Sequence, residues 1–146
     1  MTGIAITFIV IGTTFIVFLG LGWIQIDGFA RDILSLSTVL LNVAGMFFVF
    51  AMVGWSEELL SRGFHFRVIE RGLNRFWGVF LSSAMFSYLH RNNPDITWGD
   101  LIIIFFFGLI MVYAYQKTDN LWLPIGLHAG WDFFVVTIFG EFRSEA

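Results

Sequence analysis

Six ionisable side chains stand where the surrounding sequence is otherwise apolar. Glu57 and Glu58 sit side by side in "GWSEELLSRGF", with Arg62 four residues after the second. His90 closes "FSYLH", and His128 and Asp132 bracket "HAGWD". Residues of these types could carry acid–base chemistry on a water: a carboxylate can take its proton, and a histidine can face a developing negative charge. A zinc site is the other chemistry open to them, since Glu57, His90 and His128 make a His₂Glu set that a water could complete. No H-E-x-x-H segment is present, and the residues alone leave both chemistries open.

Spacing separates the two glutamates. On a helix turning 100° per residue, Glu58 and Arg62 lie within about 40° of each other, whereas Glu57 points about 140° away from Arg62. Glu58 and Arg62 can form an acid-before-base i,i+4 pair, the favourable order. Glu57 must then face something else. If a turn centres on Gly72 to Arg75, the segments on either side form an antiparallel hairpin, and equal rise per residue brings His90 level with Glu57. Phe86 and His90 share one helix face, as do His128 and Asp132, with Gly130 permitting close backbone approach between the latter two. One glutamate, two histidines and an aspartate are thus expected to meet in a single polar chamber.

The elements that must position them are membrane helices. The 146 residues are 58 % hydrophobic and 13 % charged, against about 45–50 % and about 25 % in soluble domains. Residues 3–26 and 33–56 carry no charge, and about 20 apolar residues cross a bilayer as a helix. At bilayer depth an ionisable group costs at least about 2.5–3.5 kcal/mol, so each one is a functional candidate. The N-terminal run lacks a basic flank and a cleavage site, and is expected to be a retained span. There is no cysteine, which removes disulfides and thiolate chemistry, and no basic stripe that would suggest nucleic acid.

The fold class expected is all-α: a polytopic transmembrane bundle of about five spans in one domain, 1–146, with a motif-bearing core at about 50–139. Helices are expected at 3–26, from Ser35 to Ser37 onward with an interfacial continuation through "FHFRVIERGLNR", at 76–90, at 99–116 and at 121–139. Alternate loops group Arg62, Arg67, Arg71, Arg75 and Lys117 against Arg31, Arg91 and Arg143, which places the first group on the cytoplasmic side.

Three motifs in order make a more specific signature. "EELLSR" fits E-E-x-x-x-R, "FSYLH" fits F-x-x-x-H, and "HAGWD" fits H-x-x-x-N/D. Together they resemble the CPBP (Abi) family of intramembrane proteases, which includes CAAX prenyl endopeptidases and bacteriocin-processing or bacteriocin-immunity proteins. The resemblance implies a multi-pass protein of a prokaryotic plasma membrane, acting among lipids on a membrane-associated, prenylated or leader-bearing peptide. Residue by residue, it implies that Glu57 activates water with help from His90, that His128 and Asp132 face the oxyanion, and that Glu58, Arg62 and Phe86 are structural support. It also implies catalysis by the glutamate without a cofactor. Two features depart from the pattern: Ser61 replaces an aromatic common before the arginine, and Asp132 replaces the commoner asparagine. A non-catalytic scaffold or immunity protein binding a peptide in the same groove is the alternative. A proton-coupled transporter ranks last, because paired repeats and broken helices are not found.

Overall fold

The computed structural model describes residues 2–139. Arg143, counted above, lies outside them. The described residues form helices, the first two joined by a longer connection that contains a 3₁₀ turn at Ala30–Asp32 and the rest by short turns, with no strand among them.

Helix α1, Thr2–Gly20, stops six residues short of the end of its apolar run. Gly22 takes φ 72°, and the N–H groups of Gly22 and Trp23 donate back to Leu19 O and Phe18 O at 3.1 and 2.9 Å. This is a Schellman closure, sealed by the Phe18 and Trp23 rings at 5.2 Å. The stop therefore falls at Gly20 to Gly22, ahead of the Asp27–Gly28 turn expected from the sequence.

Helix α2 is continuous over Leu36–Gly72. Ser35 Oγ accepts from Thr38 N at 3.2 Å at its start, as an N-cap should. Its apolar window is unburied by the rest of the protein, so lipid is the solvent that suits it. Within it, Leu59–Phe66 is wound as a π-helix, directly after Glu57 and Glu58. Helix α3, Arg75–Leu89, is capped by Asn74, which accepts from Trp77 N at 3.1 Å. Helix α4, Trp98–Thr118, opens on a capping box between Thr97 and Asp100 and ends on Asp119 at φ 50°. Helix α5 spans Trp122–Ile138 with Pro124 in its first turn, and is π-wound from Phe133. Of these five, α1, α2 and α4 are long and apolar enough to cross a membrane; α3, at 15 residues, and α5 are shorter.

The chain divides into two compact units. The unit Trp55–Ile125 holds the last half of α2 with α3 and α4. Its helices approach closely at glycines. A Cβ on Gly78 would stand 3.2 Å from Glu70 Cα, and one on Gly108 would stand 3.1 Å from Ser83 Cα. Its small apolar core is Phe66, Val112 and Tyr115, with Val79 and Leu121 against it. The unit Met1–Gly54 with Gly126–Ala146 packs α1 on α5 by the same device. A Cβ at Gly126 would stand 3.2 Å from Gly3 Cα, and Gly130 lies against Thr7 and Ile4. Small residues let membrane helices gain dispersion contacts that the lipid would otherwise supply equally well.

Gly108→Ala is expected to lower stability by about 1–3 kcal/mol, because the added methyl meets backbone that cannot yield. Gly45→Ala, where a Cβ meets nothing within 4 Å, should leave stability unchanged or raised. Thermal unfolding in detergent checks both. Equal midpoints for the two variants would refute the close α3–α4 contact.

Candidate active site

In the Trp55–Ile125 unit the two adjacent glutamates part company. Glu58 is fully buried and Arg62 is 1 % exposed. Arg62 Nη1 donates to Glu58 Oε1 at 2.9 Å, and Nη2 donates to Gly108 O on α4 at 3.0 Å. The guanidinium lies 4.4 Å over the Phe86 ring of α3, a cation–π contact. One arginine thereby ties α2 to both α3 and α4, and the missing Cβ of Gly108 leaves its carbonyl within reach.

Glu57 is half-buried on the other side of α2. Its Oε2 stands 3.5 Å from His90 Nε2, as the hairpin about Gly72 to Arg75 requires. His90 ends α3, where the last carbonyls lack helical partners. Its Nδ1 lies 2.8 Å from Phe86 O. A carbonyl only accepts, so Nδ1 carries the hydrogen and Nε2 is the atom presented to Glu57. The Phe86 ring also packs against the imidazole, centroids 4.7 Å apart. Phe86 therefore serves both pairs, carrying Arg62 on its ring and fixing His90 through its carbonyl.

Between them lies a cleft of about 260 Å³ lined by Glu57, Leu60, Ser61, Phe86, Leu89, His90 and Asn93. Ser61, at the position where the pattern has an aromatic, is one of its walls. Asn93 was not singled out from the sequence. Its only signal there is a polar run, "HRNNPD", immediately after His90. Its backbone N–H donates to His90 O at 2.9 Å, a short 3₁₀ turn that brings its side chain to the cleft wall.

In the other unit, His128 is buried at 3 % exposure, and its Nε2 lies 3.5 Å from Asp132 Oδ2 one turn on. Gly130, between them, lies against Thr7 and Ile4 of α1. Both π-wound segments begin within two residues of a motif acid, after Glu58 and after Asp132. Such segments recur at functional sites.

A model of the Rce1-like type II CAAX prenyl endopeptidases matches residues 38–134. The chain belongs to that family. The matched region includes Glu57, Glu58, Arg62, Phe86, His90, His128 and Asp132. Neither a curated protein nor a solved structure matches the chain. As a member of a CAAX prenyl endopeptidase family with long apolar helices, it is an integral membrane protein of protease type.

Within each unit, among the described residues, no three histidine, cysteine, aspartate or glutamate side chains gather as a metal cluster. Within the Trp55–Ile125 unit Glu57 and His90 are the two residues of the expected His₂Glu set, and His128, the third, belongs to the other unit.

Arg62→Met leaves Glu58 buried without its cation and is expected to cost about 3–5 kcal/mol. The double variant Glu58→Gln/Arg62→Met should be less destabilised than Arg62→Met alone, because the uncompensated charge is gone. Unfolding midpoints in detergent measure both. A double variant as unstable as the sum of the two singles would contradict the pairing.

Proposed function

We propose that this chain is an intramembrane endopeptidase in which Glu57, positioned with His90, activates the water that hydrolyses a peptide bond of a membrane-associated, prenylated or leader-bearing substrate. The observation that carries this reading is the facing of Glu57 Oε2 and His90 Nε2 at 3.5 Å in the cleft. With the His90 hydrogen held at Nδ1 by Phe86 O, a neutral imidazole offers a lone pair at Nε2, and the carboxylate offers lone pairs as well. A water reaching both donates one hydrogen to each, and its own lone pair remains free for a carbonyl carbon.

The steps balance simply. As the oxygen–carbon bond forms, the water's proton passes to Glu57 and the carbonyl electron pair moves to oxygen. Collapse of that intermediate breaks the carbon–nitrogen bond, and Glu57 returns its proton to the leaving amine, which regenerates the carboxylate. His90 holds the water on line. Glu58 cannot substitute, because it is buried against Arg62.

His128 is assigned to the oxyanion on the H-x-x-x-N/D motif. Asp132, as a carboxylate, cannot donate like the commoner asparagine, and instead orients His128. The His128 ring is then the group that faces the developing negative charge, whose stabilisation is usually a large contribution in acyl-transfer chemistry.

Glu57→Gln is expected to reduce kcat/KM for a prenylated peptide in proteoliposomes by about 10²–10⁴-fold, with the unfolding midpoint close to that of the unmodified protein. Loss of cleavage in His128→Ala would accompany it. Full cleavage in both variants would overturn the proposal and leave a non-catalytic peptide-binding protein. Stoichiometric zinc in the purified protein, with activity abolished by a chelator and restored by zinc, would replace the metal-free mechanism.

A further inference from the structure

A second feature of the Trp55–Ile125 unit lies at the opposite end of the α2–α3 hairpin from Glu57 and His90. There the last turn of α2, the first of α3 and the last of α4 enclose a polar cleft of about 370 Å³ that includes Arg67, Arg71, Arg75, Tyr115 and Gln116. Arg67 Nε donates to Tyr115 Oη at 2.5 Å, and Arg75 Nη2 donates to Gln116 Oε1 at 2.7 Å. These contacts hold two guanidinium groups in place while leaving further N–H groups on each. Arg71 is exposed, and the described residues give it neither an ion pair nor a hydrogen bond. Gln116 Nε2 is a buried donor without an acceptor. Glu70 and Asp119 also line the cleft, so its charge stays positive, three arginines against two carboxylates.

Arg75 belongs to a second cavity too. An almost wholly apolar groove of about 550 Å³ runs from it between α3 and α4, along Val79, Phe80, Phe105 and Leu109. The two cavities thus meet at one arginine, cationic on one side and hydrocarbon-like on the other. A free anion would use the first and leave the second empty. A hydrocarbon chain without a charge would do the reverse. A molecule with an anionic head and an apolar tail fits both.

We propose that this joined cleft and groove bind one anionic phospholipid, its phosphate on Arg67, Arg71 and Arg75 and one acyl chain along Val79, Phe80, Phe105 and Leu109. Basic pockets between membrane helices hold anionic headgroups by charge and by N–H donors, and this pocket adds a tail groove. From Glu57 to Arg67 is ten residues of helix, about 15 Å. The lipid is therefore a structural ligand at the far end of the hairpin, independent of the hydrolytic reading. Bound there, it would add a further brace between α2, α3 and α4 at that end of the hairpin.

The test uses the full chain in neutral detergent, with phosphatidylglycerol, phosphatidylcholine or inorganic phosphate added, followed by native mass spectrometry and by thermal unfolding. Phosphatidylglycerol should be retained at one molecule per chain and raise the midpoint by several degrees, and phosphatidylcholine should do neither. Arg71→Gln should weaken phosphatidylglycerol binding about fivefold, the equivalent of about 1 kcal/mol for one basic residue. Leu109→Trp, which fills the groove, should weaken it further while leaving the lipid-free midpoint readable as a folding control. Equal retention of both lipids, or retention unchanged in Arg71→Gln and Leu109→Trp, would overturn the proposal. So would a midpoint shift reproduced by inorganic phosphate alone, which would make the site a bare anion site, or displacement of the lipid by a prenylated peptide, which would make it part of the substrate path.

Discussion

The Glu58–Arg62 ion pair is the constraint on which the Trp55–Ile125 unit depends. Neither group touches solvent, and a lone charge in that position would cost several kcal/mol. The pair is held by more than its own attraction, through the Gly108 carbonyl and the Phe86 ring. Because those partners come from α3 and α4, satisfying one arginine fixes the rotation of α2 against both. That rotation turns Glu57 toward His90. The buried acid therefore aims its neighbour, and the E-E-x-x-x-R and F-x-x-x-H motifs are two readings of one packing arrangement.

Phe86 shows how tightly the functions overlap. Its ring receives Arg62, and its carbonyl receives the His90 Nδ1 hydrogen. A helix end normally leaves its last carbonyls to solvent, and this one spends such a carbonyl on fixing an imidazole. Gly130, between His128 and Asp132, is small for the sake of α1, since a Cβ there would meet Thr7 and Ile4.

Much of this was legible in the sequence because it depends on spacing. The Glu58–Arg62 pair follows from an interval of four, and the Glu57–His90 facing follows from equal distances to a turn that Gly72 and Asn74 mark. Other features were not legible. Over the eight residues of Leu59–Phe66, apolar spacing does not separate a π-helix from an α-helix, so the winding directly after the glutamates gave no signal. The first turn-forming pair containing a charge, Asp27–Gly28, sets the end of α1 too late. Gly22, inside an apolar run, stops the helix earlier because only its backbone geometry matters. Asn93 reaches the cleft through a 3₁₀ turn whose direction no periodicity encodes. The double service of Phe86 involves its carbonyl, an atom every residue has.

The central claim is that Glu57 and His90 together hold a water. An experimental structure of the unmodified protein, at a resolution that shows ordered solvent, tests this most directly. The account predicts a water within about 3 Å of both Glu57 Oε2 and His90 Nε2, the ordinary hydrogen-bond range, and its loss from that position in Glu57→Gln. A metal ion at that position, or a cleft in which the two side chains turn apart with no shared solvent, would contradict it.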